Sequence, residues 1–300
     1  LADLRHARND DFYDKGLVYP VTHTLDLAGA CYCTAQLAKG LGERAVYEEM
    51  MDLSTRWRNA YDWRTGRLIE AEYYEGGLWN YSFRLLHDMA GRIALYPTEA
   101  DFVADLDLFF GYGQPPVVQP TVPGDRAYMR WGHSLNRFEG YNNEPDIETP
   151  YAYLYAGRHD RAAEVVRAGM RYMYTTGRGG LPGNNDSGGL TSCYVWNAVG
   201  LFPVTGQPVY LIGSPAFDAA SLQLSERTFT IEARNNLGEN MYVQSATLNG
   251  QVIDRAYLTV DEVHAGGTLT LDMGPMPSDW ARNHRPPSYP ASPYADIRQM

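Results

Sequence analysis

The chain reads as a mainly α protein: paired helices over residues 1–205, a small antiparallel β domain over 206–274 and an extended tail over 275–300. Three observations carry that reading. Apolar residues recur at helical spacing through about residues 22–203. The period then changes to the alternation of strands. The joints are marked by clusters of Gly, Pro and Asn at 112–126, 139–147 and 177–189. No fixed-period repeat that would signal a solenoid is present.

Thr24 to Lys39 is apolar nearly all round, as a helix buried between neighbours is. Ala45 to Tyr61 follows, with Leu53 and Trp57 four apart. Leu78 to Leu95 carries Leu78, Phe83, Leu85, Leu86, Met89 and Ile93 and is predicted as one helix. Glu99 to Phe110 starts after Pro97 and stops before Gly111, as helix signals predict. Glu148–Ala156 and Arg161–Tyr174 form a pair joined by Gly157 to Asp160, and Leu190–Leu201 closes the helical series. Beyond Pro203, strands are predicted at 208–213, 221–224, 228–233, 241–248 and 268–273. Asn249-Gly250 and Gly266-Gly267 punctuate them as turns.

Composition narrows the function. A net charge of −11 argues against nucleic acid, whose phosphates demand a basic surface, and against anionic membranes. No apolar run approaches the roughly 18–20 residues of a membrane span. Three cysteines indicate neither a disulfide framework nor a thiolate zinc site. The 23 tyrosines and 6 tryptophans supply flat apolar faces with polar edges, which suit sugars as well as a core. The opening LADLRHARNDDFY has no initiator Met and no leader pattern, so the chain is expected to be processed or trimmed.

Three acidic loops share one style, an acid beside Gly, Asn or Pro at the mouth of a helix. Glu75 lies in Tyr73-Tyr74-Glu75-Gly76-Gly77-Leu78-Trp79. Glu144 and Asp146 lie in Asn142-Asn143-Glu144-Pro145-Asp146. Asp186 lies in the run 180–189, which holds four glycines and a proline. Each acid has a plain alternative, as a helix cap for Glu75 and Asp186 and as an Asx-type turn for the middle loop. Loops at one end of a ring of helical hairpins converge on a single cleft, however. Two carboxylates flanking a sugar are what glycosidic cleavage needs, one to protonate the leaving oxygen and one as nucleophile or base. Asn142, Asn143, Glu144 and Asp146 are hard oxygen donors that suit Ca²⁺. His87-Asp88 is either a substrate contact or a capped, core pair.

EGGLWNYSFRLLHDMAG (75–91), NEPD (143–146) with PYAYLYAG (150–157), and GLPGNNDSGGLTSCYVWNAVGLFPV (180–204) resemble, in that order, motifs of glycoside hydrolase family 92. VTHTLDLAG (21–29), YLIGSPAF (210–217) and SATLNG (245–250) are similar to further segments of it, so the resemblance covers about residues 20–280. It implies a calcium-dependent, inverting exo-α-mannosidase, with part of an (α/α)6 helical toroid followed by the β segment. Glu75 is then the general acid and Asp186 the general base, standing ~6.5–9.5 Å apart to admit water. The acid would need its pKa raised by a burying neighbour such as Trp79. Asn184 would assist as a polar contact. Asn143 and Glu144 would lie at the metal and sugar, with Trp79, His87 and Asp88 among the substrate contacts.

The chain departs from the family pattern at Gly77 and Asn80, at Gly29-Ala30-Cys31 and at Ile147-Glu148. The acid and base positions remain while the groups that read the sugar change. Another glycoside, or carbohydrate binding without turnover, stands as the alternative. Family members are about twice as long, so the N-terminal part of the same protein is the expected partner, and a secreted or periplasmic location is implied.

Overall fold

The structure is a computed structural model and describes residues 9–112 and 143–289. The described chain divides into two compact units. One ends at Phe102 and resumes at Ser288, and the other runs Val103–Pro287.

The first unit is built on a helical hairpin, after a short α1 (Asp10–Lys15). α2 (Thr22–Leu41) ends where Gly42 turns left-handed at φ +76° and donates its N–H to the carbonyls of Ala38 and Lys39. Two residues later α3 (Arg44–Ser54) starts, and the two helices pack along their length. Leu25, Ala28, Tyr32 and Ala35 of α2 are buried, as are Met50 and Leu53 of α3. The helix predicted over 45–61 is α only to Ser54. Its last turn, Thr55–Ala60, tightens to 3₁₀ and drives Trp57 fully inside. A two-residue-wide hairpin, β1 (Tyr61–Asp62) and β2 (Arg67–Leu68), follows.

The single helix predicted over 78–95 is two short ones, α4 (Leu78–Ser82) and α5 (Met89–Ile93). The break has a polar cause. Asp88 leaves helical geometry to cap α5, accepting the Gly91 N–H at 3.0 Å. Arg92, fully buried, donates from Nε and Nη2 to the Ser82 carbonyl at the end of α4. Its guanidinium lies 4.4 Å from the Tyr61 ring centre, so rings take the place of a carboxylate.

α6 (Glu99–Phe109) carries the chain across the division at residue 102. In the second unit α7 (Ala152–Tyr155) leads into α8 (His159–Tyr172) and, after the glycine-rich loop, α9 (Gly189–Val199). Glu164 of α8 accepts from the hydroxyls of Tyr112 and Tyr242 and from Arg161, a buried network joining helix to sheet.

The β region corrects the expectation of an antiparallel domain. β3 (Leu201–Pro203), β4 (Val209–Ile212) and β9 (Tyr257–Thr259) form one antiparallel sheet in the order β3-β4-β9. The other sheet, in the order β5-β6-β10-β7-β8, holds β5 (Ala219–Leu224), β6 (Arg227–Arg234), β7 (Tyr242–Leu248), β8 (Gln251–Ile253) and β10 (Gly267–Gly274). Its central pair, β6 and β10, is parallel. The crossover between them contains α10 (Val260–His264), capped by Thr259 with Glu262. Phe229, Ile231 and Ala233 alternate inward on β6, as do Leu269, Leu271 and Met273 on β10. The described part of the tail is docked, with Trp280 buried and its indole N–H on the Ile253 carbonyl at 2.9 Å.

Candidate active site

Glu75, Trp79, His87 and Asp88 belong to the first unit; Asn143, Glu144, Asn184 and Asp186 belong to the second. Within the first, Glu75 sits at φ +52°, a left-handed backbone that a residue with a Cβ adopts at a cost. It is exposed, so Trp79 does not supply the burial expected for the acid. The Trp79 ring instead takes the Arg67 guanidinium at 4.0 Å and stacks on Phe83. Glu75 is not the cap of α4 either. That position is Gly77, whose N–H is taken by the Asn80 side chain at 2.6 Å. Tyr81 donates its hydroxyl to the Tyr74 carbonyl at 2.6 Å. The acid is therefore held by backbone anchored on both sides of it.

His87 and Asp88 fit the core reading. Asp88 is 1% exposed and pairs with Arg58 at 2.6 Å while capping α5. Its carboxylate is fully engaged. His87 stacks on Tyr32 at 4.7 Å, and burial pushes its pKa down to about 4. It is a neutral ring in a packed interior.

In the second unit the Asn143–Glu144 loop and the Asp186 loop come together. Gly189, the first residue of α9, is the contact: a Cβ there would lie 2.5 Å from Glu144 Cγ. Glu144 Oε1 is buried with no hydrogen-bond partner among the described residues, and Asn143 Oδ1 accepts the Glu144 N–H at 3.2 Å. A buried carboxylate oxygen without a donor suits a cation or a sugar hydroxyl. Asn142 lies outside the described residues, and among those described no cluster of three His, Cys, Asp or Glu could hold a metal.

Buried bonds join these loops from behind. Tyr151 donates to Asn197 Oδ1 at 2.8 Å, Asn197 donates to Cys193 Sγ at 3.3 Å, and Tyr174 donates to the Leu190 carbonyl at 3.1 Å. Burial lifts the Cys193 thiol to about 12, so it stays protonated.

The N-cap position of α9 is Gly188, which has no side chain to offer, and its first turn is met instead by Asn185, a residue missed in the sequence. Its Oδ1 accepts the Thr191 N–H at 3.0 Å. The sequence put only Asp186 forward as a cap for this helix, and cap preference does not separate Asp from the Asn beside it. Ser187 turns left-handed at φ +52° and Gly188 at φ +80°, between Asp186 and the start of α9. The side chains of Asp186 and Asn184 are exposed and make no hydrogen bond or ion pair among the described residues.

Residues 11–275 match the profile of the glycosyl hydrolase family 92 catalytic domain. An uncharacterized secreted glycosidase of Arthroderma benhamiae is 27% identical over 94% of this chain and 39% of its own length. An inverting mannosidase of family 92 from Bacteroides thetaiotaomicron superposes with a TM-score of 0.79 at 27% identity, over 94% of this chain and 42% of the other. A family 92 α-mannosidase of the same organism gives 0.76 at 24% identity over 88% and 37%, a likeness of fold. The chain thus spans about two fifths of the length of these relatives. With the profile matched over most of its length, the chain belongs to glycosyl hydrolase family 92.

Proposed function

We propose that the chain is the catalytic portion of an inverting exo-α-mannosidase in which Glu75 is the general acid and Asp186 the general base. One observation carries the reading: the Asn185 side chain takes the Thr191 N–H in the first turn of α9, and the Asp186 carboxylate is exposed with no hydrogen bond or ion pair among the described residues. A cap would be spent on the helix, whereas a base must be free to take a proton. In a single displacement the water oxygen attacks C1 as the C1–O bond breaks. The Glu75 proton passes to the leaving oxygen, a water proton passes to Asp186, and an α-linkage yields β-mannose. The substrate class follows from the family and from the inverting mannosidase this chain resembles.

Asn143 and Glu144 are the residues that would hold Ca²⁺, supported by the buried, donorless Glu144 Oε1. The ion would supply a fixed charge that orients sugar hydroxyls. Asn184 would add a polar contact. The helices are taken as part of an (α/α)6 toroid completed by the rest of the polypeptide. No helix among the described residues is long and apolar enough to cross a membrane, and export to the periplasm or outside is proposed with the secreted relative in view.

The test uses the full-length protein on a panel of α-linked disaccharides, mannobioses included, with and without Ca²⁺, following the released anomer by proton NMR. Calcium-dependent release of β-mannose is expected. Release of α-mannose, or of nothing from any mannoside, overturns the reading. Glu75→Gln should lower turnover of disaccharides by about 100- to 10,000-fold and that of activated aryl mannosides less, because only the poor leaving group needs the proton. Equal losses on both would remove Glu75 from the acid role.

A further inference from the structure

A general acid touches the leaving group, so the departing sugar must lie on the side of Glu75. α4 begins three residues after Glu75, which places Leu78 within ~11 Å of it by chain length alone. Leu78 and Trp79 form one wall of a cleft of about 860 Å³ whose other residues all come from the β1–β2 hairpin and the two residues after it. That size falls within the ~300–1,000 Å³ of small-molecule sites.

The tip of the hairpin is Trp63, 67% exposed, with no ring, hydrogen-bond or ion-pair partner among the described residues. Its support is stiff. The N–H groups of Thr65 and Gly66 both donate to the Asp62 carbonyl, at 3.1 and 2.8 Å. Arg64 returns to the Asp62 carboxylate through its backbone N–H and two guanidinium nitrogens, at 3.0, 2.9 and 2.8 Å. Gly66 is left-handed at φ +68°, with the Tyr96 ring 2.7 Å from where a Cβ would stand. An indole left in water on a pinned turn is a platform whose ordering cost is met before any ligand arrives.

The polar lining is balanced. Arg64 is neutralised by Asp62, Arg67 lies on the Trp79 face, and Glu70 contributes an exposed carboxylate. Such a lining offers donors and acceptors to hydroxyls without selecting a charge. We propose that this cleft is the leaving-group subsite, where a neutral pyranose, the reducing-side sugar of the glycan, stacks on Trp63. The assignment rests on Glu75 being the acid.

The test compares full-length wild type with Trp63→Ala. In the Asp186→Asn background, mannobiose and methyl α-mannoside are titrated by calorimetry. In the active background, kcat/KM is measured for mannobiose and for an activated aryl mannoside. Loss of the platform should lower the affinity advantage of mannobiose over methyl mannoside, and the ratio of the two kcat/KM values, by about 10-fold, the ~1.4 kcal/mol of one good stacking contact. Trp63→Phe, which keeps a ring at the tip, should retain most of both. An enzyme that cleaves mannosides with the ratio untouched in Trp63→Ala overturns the subsite alone. A lowered melting temperature with the ratio untouched would assign Trp63 to contact with the rest of the polypeptide, also against the proposal. A protein that cleaves no mannoside overturns the function first, and the subsite with it.

Discussion

The Glu75 loop and the Asp186 loop solve one problem in two ways. Each presents an exposed carboxylate just before a helix, and each uses a left-handed residue that is not glycine, Glu75 itself in one and Ser187 in the other. The first is anchored locally, by Asn80 and Tyr81 reaching back to Gly77 and Tyr74. The second is anchored from far along the chain. Glu144 lies against Gly189, and Tyr151 holds Asn197. The difference teaches that the placement of Glu75 is written into one short stretch, whereas that of Asp186 depends on another loop being in place.

The sharpest way to break that contrast is at the glycines. With the proposed Ca²⁺ held at Asn143 and Glu144, Gly189→Ala would press on Glu144 across the interval between loops and should weaken that binding in the full-length protein by about 10- to 100-fold, measured by activity against free calcium. Gly76→Ala would press only on its neighbours Asn80 and Tyr81 and should leave calcium dependence as it was. Equal calcium shifts in the two variants would abolish the distinction.

Next in size is the buried network. Asn197→Leu strands the Tyr151 hydroxyl and should cost about 1–3 kcal/mol in denaturant unfolding. Asn80→Ala removes one local bond and should cost about 1 kcal/mol. The reverse order would mean that the Glu75 loop, not the Asp186 loop, rests on the deeper interior.

The two units differ little in a third respect, their response to acid. His87 in the first and His159 in the second are each held neutral by burial, which pushes both pKa values down to about 4. The unfolded chain takes up these protons below its ordinary value of 6.5. The stabilisation is therefore complete above pH 6.5 and is lost as pH falls to about 4, by ~1.4 kcal/mol per pH unit for each ring. Unfolding midpoints between pH 7 and 4 check the slope, and His159→Gln should remove one ring's share.

The helices packed by apolar spacing were legible: the hairpin of α2 and α3, α6 and α8 all lie close to where their periodicity puts them. The break at 83–88 was not, because it is made by a buried arginine and a capping aspartate, and polar bonds leave no period. The parallel pairing of β6 and β10 was hidden for a related reason. Alternation reports which face of a strand is buried but not the direction of its neighbour. Asp186 was visible as a candidate, yet its freedom from capping depended on which of three adjacent polar residues took the Thr191 N–H. Trp63 was passed over because a lone aromatic at a turn has no pattern to betray it.

The first unit is not finished when its first hundred residues have been made. Ser288 and Tyr289 complete it, with Ser288 donating to the Asp88 carboxylate and Tyr289 giving its N–H to the His87 carbonyl. The Ser288–Asp88 bond joins residues 200 apart, an interval that a ribosome working at about 5–20 residues per second takes roughly 10–40 s to cross. During synthesis the turn around Asp88 waits that long for the Ser288 hydroxyl, while the entire second unit emerges in between. The early helices are thus exposed to chaperones for longer than those that follow them.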